Sequence, residues 1–75
     1  MENTIIIKIE EKNNGVNPRY TFSLHGNAKT DNGYELVKYT VEKHRAAGTL
    51  YEHMDKLAIE LGEKYPTTAV FFTTA

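Results

Sequence analysis

Between Thr4 and Lys12 isoleucine stands at positions 5, 6, 7 and 9, and most other positions are polar or charged. Apolar residues at every second position mark a strand with one buried face. Asn14-Gly15 follows. It is the strongest short hairpin signal, because a type I′ turn needs φ > 0 at both central residues. A turn there pairs Asn13 with Val16 and fixes a register. Ile9 then faces Tyr20, Ile7 faces Phe22 and Ile5 faces Leu24, all on one side. The other side pairs Glu10 with Arg19, Lys8 with Thr21 and Thr4 with His25. Glu10 against Arg19 is a favourable cross-strand pair, and Pro18 falls near the turn, where strands tolerate proline.

Thr30-Asp31-Asn32-Gly33 is a second turn cluster. Residues 34–44 fit two patterns. A helix would use Asn32 and Glu35 as a capping box and the stripe Leu36, Val37, Thr40, Val41 and His44. A strand would use the alternation of Val37, Tyr39 and Val41 and the high β-propensity of Tyr39-Thr40-Val41. With a loop at 30–33, Gly26 pairs with Val37, Leu24 with Tyr39 and Phe22 with Val41. The apolar face then continues across three strands, which favours the strand.

Further on, Thr49 and Glu52 form a capping box. Leu50, Met54, Leu57, Ala58, Leu61 and Tyr65 recur at helical spacing, and Pro66 ends the helix. Thr67 to Thr74 reads as a strand, apolar on both faces at Val70-Phe71-Phe72, like Ile5-Ile6-Ile7.

The expected fold is therefore α+β, in the order βββαβ. A three-stranded antiparallel meander is covered by one helix. A right-handed crossover adds the C-terminal strand parallel to strand 1, giving the order 3-2-1-4. The alternative, with a helix at 34–44, is ββααβ. The strand order resembles the core of ribonuclease-H-like folds and their degenerate relatives. The resemblance is one of topology, and topology does not fix function. A nuclease of that type needs convergent carboxylates on strand 1, the helix and strand 4. Glu10 and Glu52 are candidates, but residues 69–75 contain no acid.

Length and composition narrow the picture. The chain has 75 residues, which suits one domain spanning residues 1–75. It contains no cysteine, which excludes disulfides, zinc–thiolate sites and thiol nucleophiles. No apolar run is long enough to cross a bilayer and the start lacks a secretory pattern, so the expectation is a soluble, cytoplasmic protein. Its size suits a small standalone product of the phage or mobile-element kind. The formal net charge is −1, which disfavours a strongly basic nucleic-acid binder. Charge is nevertheless segregated. Residues 12–29 carry Lys12, Arg19 and Lys29 without an acid, whereas Glu52, Asp55, Glu60 and Glu63 in the helix face only Lys56.

The chemistry-bearing residues form no recognisable motif. His25, His44 and His53 lack ligand spacing, and His53 is expected at the edge of the helix stripe as a surface or boundary residue. Ser23 has no nucleophile elbow around it. The glycines are scattered and form no phosphate loop. Tyr20, Tyr39 and Tyr65 are expected on the core side, with Tyr34 and Tyr51 exposed. No enzyme activity, metal or cofactor is expected.

One helix covers only one side of a sheet. The other side would carry Ile6, Lys8, Arg19, Thr21, Ser23, His25, Leu36, Lys38 and Thr40, with part of strand 4. Ile6, Leu36, Val70 and Phe72 are the expected partner or dimer surface. The functional expectation is a small non-enzymatic protein-interaction module, a regulator or inhibitor that acts as a homodimer. The alternative is nucleic-acid binding through Lys8, Arg19, His25 and Lys38 on the open sheet face. A degenerate ribonuclease-H-like nuclease ranks third.

Overall fold

The computed structural model describes residues 2–13, 15 and 17–74. Strand β1 (Thr4–Lys12) is followed by β2 (Arg19–Thr30), β3 (Gly33–His44), a 3-10 turn (Arg45–Ala47), helix α1 (Leu50–Lys64) and β4 (Ala69–Thr74). The sheet order is β3-β2-β1-β4. β1–β2 and β2–β3 are antiparallel and β4 runs parallel to β1. This is the expected 3-2-1-4 arrangement, and residues 34–44 are strand.

The second hairpin has the expected register. Gly26 pairs with Val37, Leu24 with Tyr39 and Phe22 with Val41. Its loop is shorter than expected: Thr30 pairs with Gly33, leaving Asp31-Asn32 between them. Gly33 takes a positive φ of 111°, a conformation that costs glycine little.

The first hairpin departs from expectation by two residues. Ile9 pairs with Phe22, Ile7 with Leu24 and Ile5 with Gly26, and Glu10 lies opposite Thr21. The physical reason is Pro18. The expected register would set it inside the ladder opposite Glu11, where it has no N–H to donate. β2 instead starts at Arg19, opposite Lys12, and the Pro18 carbonyl accepts a hydrogen bond from the Arg45 N–H at 3.1 Å. A shift of two preserves which side chains share a face, so the core survives the error. The pairing of Asn13 with Val16 lies outside the described residues. Arg19 does not meet Glu10 but pairs with Glu42 at 3.1 Å.

The observed register also makes use of Gly26. A Cβ there would lie 2.0 Å from the Thr4 carbonyl oxygen and 2.7 Å from the Ile5 Cα. Only glycine permits this approach of β2 to β1.

The core lies between α1 and one face of the sheet. Phe22, Ile5, Ile7, Leu24 and Leu61 are its largest fully buried side chains, joined by Ile9, Ala28, Val37, Leu57 and Tyr65. Each large one contributes about 2 kcal/mol by leaving water. The helix starts as its sequence dictates. The Thr49 hydroxyl accepts from the Glu52 N–H and the Glu52 carboxylate accepts from the Thr49 N–H, both at 3.2 Å. Its inward side also holds His53, which is buried, contrary to expectation. The His53 ring lies 6.1 Å from Tyr20, and its Nε2 is 3.4 Å from the His44 carbonyl oxygen. A polar ring can be buried there because Tyr20 offers an apolar face and the 3-10 turn a polar edge.

The crossover into β4 is fastened by Asn3. Its amide donates to the Thr67 carbonyl at 2.8 Å. Its carbonyl oxygen accepts from the Lys29 N–H at 2.9 Å and from the Thr68 hydroxyl at 2.7 Å. The Asn3 backbone carbonyl accepts from the Ala69 N–H. One side chain thus joins the entries of β1 and β4 to the far end of β2.

The helix is short relative to the sheet. Fifteen residues span about 22 Å at the helical rise, whereas the 12-residue strands run about 40 Å. The molecule measures 44 × 19 × 16 Å. Tyr34 and Leu36, near the tip of the β2–β3 hairpin, are exposed because alternation places them on the side of the sheet away from α1.

Candidate interaction surface

Alternation places the residues between the core positions on the open side of the sheet, and the registers arrange them in rows. One row runs Phe71, Ile6, His25, Lys38 across β4, β1, β2 and β3. The row on one side runs Ala69, Thr4, Asn27, Leu36. The row on the other runs Thr73, Lys8, Ser23, Thr40. Glu10, Thr21 and Glu42 follow, and then Lys12, Arg19 and His44.

Ile6 and Phe71 are direct neighbours in this array. They are 48% and 58% exposed. Neither is covered by the helix, and together they form an apolar centre on the uncovered side. Leu36 is 63% exposed on the same side. It stands two strands away from Ile6, across Asn27.

Val70 and Phe72 were expected on this surface and are not there. They are partly buried and packed against the core beneath α1, paired with Ile5 and Ile7. Phe71 takes the outward position. Of the two alternating sets in β4, Val70 and Phe72 are both large and apolar. Ala69, Phe71 and Thr73 include only one large apolar residue. Burial favours the first set, a signal that was present in the sequence.

Lys8, His25 and Lys38 lie on the open side and are exposed. Arg19 shares the side but is tied to Glu42. Lys8, Lys12, Arg19 and Lys38 stand against Glu10 and Glu42, so the open face is mildly basic. The helix bears Glu52, Asp55, Glu60 and Glu63 against Lys56 and Lys64. The two sides of the molecule thus carry opposite charge.

Thr21 is the exception on the open side. It is buried, and its hydroxyl oxygen has no hydrogen-bond partner. It sits between Glu10 and Glu42, beside Arg19, and such long side chains can fold over a short one.

The catalytic candidates are not brought together. Among the described residues no three of the histidine, aspartate and glutamate side chains are grouped to hold a metal ion. His25 is on the open face, His44 ends β3 and His53 is buried on the other side. Glu52 is engaged in the helix cap. Hydrogen bonding from Thr49, first from its backbone, holds the Glu52 carboxyl below its ordinary pKa. No described helix is long and apolar enough to cross a membrane.

On the helix side, Phe22, Tyr39, Val41, Lys43, His53, Lys56, Leu57 and Glu60 line a cleft of about 110 Å³ between α1 and β3. Tyr39 was expected in the core. It points to the helix side but remains 47% exposed, at the mouth of that cleft on the edge strand β3. Tyr34 and Tyr51 are exposed as expected. No family model, curated protein or solved structure matches the chain.

Proposed function

We infer that the protein is a non-enzymatic interaction module, a small regulator or inhibitor that acts as a homodimer. It presents its open sheet face to a protein partner. The observation that carries this reading is the Ile6–Phe71 pair, a half-exposed apolar centre on a sheet face with no covering element. Such a patch gains free energy by leaving water. The surrounding Lys8, Lys38 and His25 suit a partner surface with an apolar centre and an acidic rim.

A second reading has its own observation. Phe71 shares the face with Lys8, His25 and Lys38, and an exposed aromatic beside cations can stack a nucleobase. Glu10 and Glu42 on the face and the net charge of −1 weigh against it.

A photo-reactive benzoylphenylalanine at position 71, with a control at the helix residue Ile59, separates these readings in cells. A discrete protein adduct at 71 and none at 59 is the expected result. A nucleic-acid adduct at 71 would replace the protein reading. So would binding of short DNA or RNA that weakens steeply with salt in an anisotropy titration. No adduct at 71 would end the open-face reading.

A further inference from the structure

We propose that the outer edge of β3 pairs antiparallel with β3 of a second copy, about a two-fold axis passing through Tyr39. The inference deepens the homodimer part of the reading above, rests on that reading for its relevance, and leaves the open face free.

β3 borders the sheet and pairs only with β2. It is a 12-residue strand along which only Val37 is buried and Val41 half-buried. Every second residue of such an edge turns a backbone N–H and C=O away from the sheet, a template for another strand. The other edge, β4, is six residues long and carries no charge.

The sequence of β3 complements itself in one register. Centred on Tyr39, an antiparallel copy sets Glu35 against Lys43 at both ends of the contact. Inside these lie Val37 against Val41, and Tyr39 against its own counterpart. All of these lie on the helix side. Opposite-charge and β-branched pairs of this kind stabilise adjoining strands. Among the described residues neither Glu35 nor Lys43 has an ion-pair partner within the chain. On the open side, Lys38 meets Thr40 and Leu36 meets Glu42, whose charge Arg19 already balances.

Neighbouring registers are worse. An axis at Lys38 opposes Lys38 to itself. An axis at Thr40 sets Lys43 against Val37 and shortens the overlap. Charges on an edge strand ordinarily prevent pairing. Here they block the alternatives and match in the register centred on Tyr39. Both helices fall on one side of the joined sheet, because the axis is perpendicular to it. The Tyr39 rings and the clefts beside α1 then border the seam.

The absence of cysteine allows a clean test. Opposed residues in an antiparallel pair have Cα atoms about 4.5–5.5 Å apart, within disulfide reach. Tyr39→Cys should form a covalent dimer under mild oxidation, while Lys38→Cys and Thr40→Cys should not. Sedimentation of the native chain should show a dimer. Lys43→Glu should weaken it about tenfold, because two pairs are reversed at once. Adding Glu35→Lys to that variant should restore it. The proposal is overturned by a native chain that stays monomeric at high concentration, or by cross-linking at Thr40→Cys in place of Tyr39→Cys. Dimerisation lost in Ile6→Glu/Phe71→Glu but kept in Lys43→Glu would also overturn it and put the dimer contact on the open face. A monomeric chain that still gave a protein adduct at position 71 would remove this edge contact and leave the open-face reading standing.

Discussion

The two faces of the sheet are made from alternate residues of the same strands, yet they obey different constraints. Ile5 and Ile7 are fully buried beneath α1, while Ile6 between them is half-exposed. Phe22 and Leu24 are buried, while Ser23 and His25 are exposed. On the covered face the core side chains are held by their neighbours' shape. Among the described residues of the open face, Thr21 alone is buried. Stability therefore resides on one side, and the other is free to be chosen for contact. An isoleucine and a phenylalanine stand side by side on that free side, each about half-exposed.

Substitutions should separate the faces in graded steps. Phe22→Ala empties the centre of the covered face and should cost about 4 kcal/mol in urea unfolding. A cost near that of a surface change would refute the placement of the core. Gly26→Ala pushes a Cβ against the Thr4 carbonyl and should cost about 3 kcal/mol. Near-native stability would mean that β1 and β2 do not approach as described. Thr21→Val removes an unpartnered buried hydroxyl and should stabilise by about 1 kcal/mol. A loss of stability there would reveal a partner for that oxygen.

The smallest effect belongs to the helix cap. The Glu52 carboxyl titrates below its ordinary value of 4.5 in the folded chain. A lowered folded pKa means that its contribution is complete above 4.5 and is lost as pH falls through the folded value. The stability difference between the native chain and Glu52→Gln should therefore be present at neutral pH and vanish in acid. A difference independent of pH would show that the charge plays no part.

Much of this was legible because β-structure has a period of two. Ile5, Ile7 and Ile9 declared one face whatever their partners, so even a two-residue error in register left the core intact. Residues 34–44 were resolved by continuing that face onto a third strand. The register differs by two residues from the one that Asn14-Gly15 predicts, because Pro18 has no N–H to donate inside the ladder. In β4 the run Val70-Phe71-Phe72 is apolar throughout, so its facing is legible only when the two alternating sets are compared over the whole strand, Val70 and Phe72 against Ala69, Phe71 and Thr73. His53 was misplaced because its burial depends on Tyr20 and the turn after β3, which no local pattern describes. The Asn3 bonds to Thr67, Thr68 and Lys29 were invisible for the same reason. They join residues that only the finished crossover brings together.

The seam between β1 and β4, which aligns Thr4 with Ala69, sets an order of events. The two hairpins close short loops, whereas this seam must wait for nearly the whole chain to find its ends, at a higher entropic cost. β4 is thus expected to join last and to leave first. Its amides should exchange with solvent through openings less costly than global unfolding, while those of β2 should require the whole sheet to come apart. Equal protection in β2 and β4 would mean that the sheet assembles and dissolves as one unit.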